Sequence, residues 1–139
     1  MTAEEWRRFL REPVRPAMLA TVRPDGRPHV APLWIALDDD DCVVFTTGAD
    51  TVKGRAVQAD GRVALCVDDD QPPFSYVLVE GTAEVSTDPD ELLHWATRIG
   101  GRYMGAERAE QFGRRNAVEG ELLVRVRPTK GVARKNISD

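Results

Sequence analysis

Met18-Leu19-Ala20-Thr21-Val22-Arg23-Pro24-Asp25-Gly26-Arg27-Pro28 reads as a strand, a tight turn and the start of a second strand. Small and β-forming residues fill Met18 to Val22. Pro24-Asp25-Gly26 then closes a hairpin in which Gly26 takes a positive φ without steric cost. Outward from there, Pro28 to Leu37 is a second apolar run that stops at the acidic cluster Asp38 to Asp41, and Cys42 to Thr47 is a third. Arg62 to Val67 and the long Phe74 to Val85 are a fourth and a fifth, with Gly81 marking a bulge. Between the third and fourth runs, Asp50 is the expected N-cap of a short helix over Thr51 to Ala59, with Val52, Ala56 and Ala59 facing inward. That helix carries Lys53 and Arg55. An antiparallel sheet that pauses to insert a basic helix predicts a surface that holds an anionic ligand.

The second run has an unusual composition. His29, Ala31, Leu33 and Ile35 lie on one face, and Val30, Pro32, Trp34 and Ala36 on the other. Both faces are mostly apolar, so one is expected to meet the core and the other a partner or a cofactor. Pro32 cannot donate to a ladder, which predicts a bulge or an edge there.

The flanks read as helical. Thr2 and Glu5 make a capping box before Trp6, Phe9 and Leu10, and Pro13 and Pro16 end that helix after about Arg11. Asp88 and Glu91 make a second box before Leu92, Leu93, Trp95, Ala96 and Ile99, with Gly100-Gly101 as the stop. A further helix over about Ala106 to Arg115 and a strand from Glu121 to Arg127, ended by Pro128, complete the pattern. The polar tail Lys130 to Asp139 is expected to be ordered only against a partner.

At 139 residues with 42% hydrophobic content, the chain reads as one domain over residues 1–139. Its net charge of −4 argues against a nucleic-acid partner. No apolar run reaches membrane-spanning length, and Met1-Thr2-Ala3-Glu4-Glu5 is not a signal peptide, so the expected location is the cytoplasm, away from the membrane. Cys42 and Cys66 sit in apolar runs and read as reduced core thiols. No Ser/His/Asp or Cys/His order supports hydrolase chemistry, no glycine-rich dinucleotide loop is present, and no metal-ligand spacing occurs.

Several segments in order carry a resemblance: Leu19 to Pro28, Trp34, Thr51-x-Lys53-x-Arg55, Asp60 to Leu65, Ser75-Tyr76 and Val79 to Ala83. The chain resembles the split-barrel flavin and deazaflavin oxidoreductases of the pyridoxamine 5′-phosphate oxidase-like superfamily, and within it the branch that uses coenzyme F420. The resemblance spans roughly residues 4 to 127. It implies a mainly β (α+β) fold, a split β-barrel of antiparallel strands with flanking helices, and a homodimer with cofactor clefts at the seam. Thr51, Lys53 and Arg55 match the segment that grips the cofactor phosphate, although Ala56-Val57 stands where many relatives have Asn-Leu. Leu19, Ala20 and Thr21 would lie along the cofactor, Pro32 and Trp34 would line the ring and substrate side, and Ser75 and Tyr76 would approach from the second subunit. The implied activity is hydride transfer from reduced coenzyme F420 to a small organic acceptor. FMN is the alternative cofactor, and a non-catalytic flavin or haem carrier is the rival of another class. No catalytic residue is assigned; Tyr76 and His29 are candidate proton donors.

Overall fold

The structure is a computed structural model describing all residues from 1 to 139. Its centre is a seven-stranded antiparallel sheet formed by β1 (Ala17–Val22), β2 (Pro28–Leu33), β3 (Ala36–Leu37), β4 (Val43–Gly48), β5 (Arg62–Asp69), β6 (Ser75–Ser86) and β7 (Glu121–Arg134). The strand order is β2-β1-β5-β6-β7-β4-β3. The two edge strands, β2 and β3, are consecutive in the chain and separated only by Trp34-Ile35. Three extended residue steps reach about 11 Å at most. The sheet therefore curls until its edges lie side by side, which makes it a split barrel. Four helices flank it: α1 (Ala3–Arg11), α2 (Val52–Ala59), α3 (Pro89–Met104) and α4 (Ala109–Asn116).

Strict alternation packs the inside. Along β1, Ala17, Leu19 and Thr21 are buried while Met18 and Ala20 face out. The barrel core joins Leu19, Phe45, Leu65, Val79, Val124 and their neighbours, with Leu10 of α1 and Val57 of α2 as plugs. Each such large side chain contributes on the order of 1.5–3 kcal/mol by leaving water. A smaller cluster of Ala36, Val44, Leu92, Trp95, Ile99 and Leu123 holds α3 against the outside of β3, β4 and β7.

Seven local expectations are corrected. The run from Pro28 to Leu37 is two strands, because the chain changes sheet edge at Trp34-Ile35. Thr51, not Asp50, caps α2, since its hydroxyl is the one that accepts from the Gly54 amide at 3.0 Å. The inward residues of α2 are Gly54, Ala56 and Val57; Val52 and Ala59 are exposed. Asp88 caps α3 through the Asp90 amide, and Glu91 instead accepts from Arg125 at 2.8 Å. Gly100-Gly101 does not stop α3, which runs to Gly105 at φ +97°. The pair of glycines instead lets α4 pack closely, with Phe112 and Ala109 against the space that side chains would fill. Pro128 does not end β7 either. It faces Gly81 at a bulge, where a ladder tolerates a missing donor, and pairing resumes at Lys130. The tail then folds on this chain itself: the Ile137 and Ser138 amides donate to Phe74 and Pro73 carbonyls.

Candidate functional site

The local fold around α2 follows from three small residues. The Thr51 hydroxyl donates to the Gly48 carbonyl at 2.8 Å, accepts from the Gly54 amide, and lies 3.0 Å from the Thr47 hydroxyl. A Cβ on Gly54 would collide with the Gly48 carbonyl oxygen, so only glycine lets the helix sit this close to the end of β4. The Thr51 side chain thus works as a helix cap, and its hydrogen is spent inside the protein.

This packing points Lys53 into a cleft of about 280 Å³. Leu33 and Trp34, at the strand crossing, form one wall, and Ala96 and Ile99 of α3 form another. Thr46 of β4, Asn116 of α4 and Glu121 at the start of β7 supply the polar groups. Trp34 is held by Tyr103, with ring centres 5.0 Å apart and planes within 6°. Neither the Lys53 ammonium nor the Glu121 carboxylate has a salt-bridge or hydrogen-bond partner in the protein. Burial pushes the Glu121 carboxyl above the usual range, with the Lys53 charge pulling the other way. Glu121 also borders a second cavity of about 560 Å³, whose floor includes Leu92, Ala117 and Leu122. The cleft offers a fixed cation, an apolar slot and a few hydrogen-bonding groups, which suits a planar ligand with an anionic tail.

The residues expected from sequence do not all come together. Lys53 and Trp34 meet in the cleft. Arg55 is exposed and does not line it, because residues two apart on a helix do not share a face. Ala20 and Thr21 border a separate groove of about 430 Å³ on the outer sheet face, with Arg62, Thr82 and Thr129. Leu19 is fully buried in the barrel core, and Thr21 is 3% exposed with its hydroxyl unpartnered. Pro32 is exposed on edge strand β2. Ser75 accepts from the Asn136 amide at 3.3 Å, and Tyr76 pairs with Arg134 across β6 and β7. Both lie outside this chain's cleft. His29 has a buried, unpartnered Nδ1. Thr46, Asn116 and Glu121 were not anticipated. Glu121 reads in sequence only as the start of the last strand, and its pairing with Gly48 is what brings it beside α2.

Comparison with known proteins agrees with this architecture. The family model for pyridoxamine 5′-phosphate oxidase matches residues 2–131. A pyridoxine/pyridoxamine 5′-phosphate oxidase of Rhizobium johnstonii is 32% identical over 99 residues, covering 67% of this chain and 45% of its own. The chain therefore spans less than half the length of the curated relatives it matches. Among solved structures, a conserved hypothetical protein of Mycobacterium tuberculosis superposes with a TM-score of 0.85 at 25% identity, over 99% of this chain and 87% of that one. A structure described as an F420 reductase superposes with a TM-score of 0.69 at 31% identity, over 90% of this chain and 94% of that one.

Proposed function

The chain belongs to the pyridoxamine 5′-phosphate oxidase family, and from that premise we propose that it is an oxidoreductase that uses coenzyme F420 to reduce a small organic acceptor. The observation that carries the choice of cofactor is the likeness to the F420 reductase, which runs nearly end to end in both chains at 31% identity. The likeness to the curated oxidases stops at under half their length. A reduced deazaflavin supplies a hydride for an electron-poor double bond.

The residues present fit the tail of such a group. Lys53 has no partner in the protein and would hold a phosphate, while Thr46 and Asn116 would hydrogen-bond the chain beside it. Leu33, Trp34 and Ile99 would exclude water from one side of the bound molecule. The cleft of one chain, at about 280 Å³, falls just below the usual range for cavities that enclose a cofactor. A second wall is needed, and a second copy of the chain would supply it. The outer sheet face carries Pro32, Met18, Cys66 and Leu78 in one cross-strand row, with Val30 beside it. Met18 is 42% and Val30 59% exposed, an apolar face without cover in the single chain. In such a dimer Ala20, Pro32, Ser75 and Tyr76 would reach the ligand from the partner's side of the seam, and Arg55 would add long-range attraction for its tail. No helix is long and apolar enough to cross a membrane, in keeping with work in the cytoplasm.

FMN is the second reading, favoured by the 32% identity to the pyridoxine/pyridoxamine 5′-phosphate oxidase. Its phosphate would use the same lysine. Titration of the purified chain with coenzyme F420 and with FMN, followed by fluorescence, decides between them. Tighter binding of FMN overturns the leading choice. Binding of coenzyme F420 without turnover of any acceptor makes the protein a carrier. Lys53→Ala is expected to weaken either cofactor by tenfold or more.

A further inference from the structure

The phosphate-binding reading of Lys53 leaves Glu121 unexplained. A carboxylate in the same cleft as the lysine repels an incoming anion, yet the fold places one there. Glu121 is fixed by its backbone pairing with Gly48, and its Oε2 lies 3.7 Å from the position a Cβ of Gly48 would take. It therefore hangs over the turn that leads into α2. The other groups around it are uncharged: Thr46 on β4, Ala96 and Ile99 on α3, and Asn116 on α4. Lys53 on α2 is the charge that faces it within the cleft, and Glu119 lines only the neighbouring cavity.

The two opposite charges do not close on each other. No N–O approach within 4.0 Å joins them, and neither has another partner. A half-buried cation and a half-buried carboxylate held apart leave room for a group that bonds both. That group has to accept from the ammonium and donate to the carboxylate. A doubly ionised phosphomonoester with no hydroxyl of its own satisfies only the first. A phosphate with neighbouring hydroxyls satisfies both.

Resting on that reading of Lys53, we infer that Glu121 is a specificity-determining residue of the cleft, one that discriminates against bare anions and selects a phosphate carried on a polyol chain. Its carboxylate is the standing counter-charge of Lys53, and a ligand hydroxyl compensates it by donating to an oxygen. The raised carboxyl pKa is consistent with a group kept from water on this wall.

The test compares two phosphomonoesters of equal charge, methyl phosphate and ribitol 5-phosphate, titrated calorimetrically at pH 8 into the full chain and its Glu121→Gln variant. The wild type is expected to prefer ribitol 5-phosphate by tenfold or more. Glu121→Gln is expected to gain about tenfold for methyl phosphate and less than threefold for ribitol 5-phosphate, so that the preference collapses. Equal gains for both esters, an unchanged methyl phosphate affinity, or no binding of either ester to either protein overturns the inference. Coenzyme F420 and FMN titrations of the wild type decide the cofactor reading separately. If both fail while the ester preference collapses as stated, the cofactor reading falls and the role of Glu121 stands. Amide spectra of both proteins, expected to be alike away from the cleft, exclude a folding defect as the cause.

Discussion

The Tyr103 hydroxyl accepts from the Ile35 amide at 3.1 Å across 68 residues of chain. Its hydrogen goes to the Arg15 carbonyl at 2.7 Å. One phenol on α3 thus ties the strand crossing to the segment that leads into β1. The same ring stacks on Trp34, so the cleft wall and the barrel seam share a support.

Tyr103→Phe keeps the stack and removes both bonds. The Ile35 amide and the Arg15 carbonyl lose their shared partner at a half-buried place, which costs about 1–3 kcal/mol. Urea denaturation is expected to show that loss as a lower midpoint with an unchanged slope. A midpoint equal to the wild type would mean that water replaces the phenol without cost.

Gly54→Ala tests the close seating of α2. The added methyl meets the Gly48 carbonyl oxygen, a backbone atom that cannot swing aside. A loss of about 1–3 kcal/mol is expected in thermal unfolding. Cofactor affinity is expected to fall with it, because a displaced α2 carries Lys53 away. A stable variant with full affinity would show that the helix has slack here.

Much of the barrel was legible because its signals are local. The Gly26 turn, the strand-like run Met18 to Val22 and the bulge at Gly81 each depend on a few neighbouring residues. The break at Trp34-Ile35 was not legible, since an apolar run looks the same whether the chain continues in one strand or crosses between sheet edges. In sequence Gly100-Gly101 reads as a stop because glycine weakens a helix, whereas contact with Phe112 and Ala109 decides the matter in the fold. Of the residues expected at the site, Lys53 and Trp34 line the same cleft. Glu121 was not, because it reaches the cleft only through pairing with Gly48, far away in sequence.

Glu121 makes stability depend on pH in a defined direction. Its carboxyl pKa in the folded chain is raised above 4.5, chiefly by burial. The folded state then holds the proton more tightly than the unfolded one. The associated stability is fully present below the unfolded value and is lost as pH rises through the folded value. The difference in stability between wild type and Glu121→Gln is therefore expected to move against the wild type as pH rises above 4.5 and through the raised folded-state midpoint. A carbon-detected titration should place the carboxyl midpoint above 4.5, and higher still in Lys53→Ala. A midpoint below 4.5 would place the carboxylate in water or against the lysine.

The uncovered face of β1 and β2 carries the remaining prediction. Met18 and Val30 stand out from neighbouring strands, on the same face as Pro32 and Cys66. A second copy seated there would remove this apolar surface from water at about 25 cal/mol per Å². Met18→Glu and Val30→Glu each put a charge at the centre of that contact while leaving the barrel interior untouched, since both side chains point outward. In light scattering after size exclusion, the wild type is expected to elute at twice the chain mass and both variants at the chain mass. Their unfolding midpoints at high dilution should match that of the wild-type monomer. Cofactor affinity should fall with the dimer, since in the proposed assembly the second copy supplies the cleft's other wall. A monomeric variant that binds the cofactor as tightly as the wild type would show that a single chain completes the site.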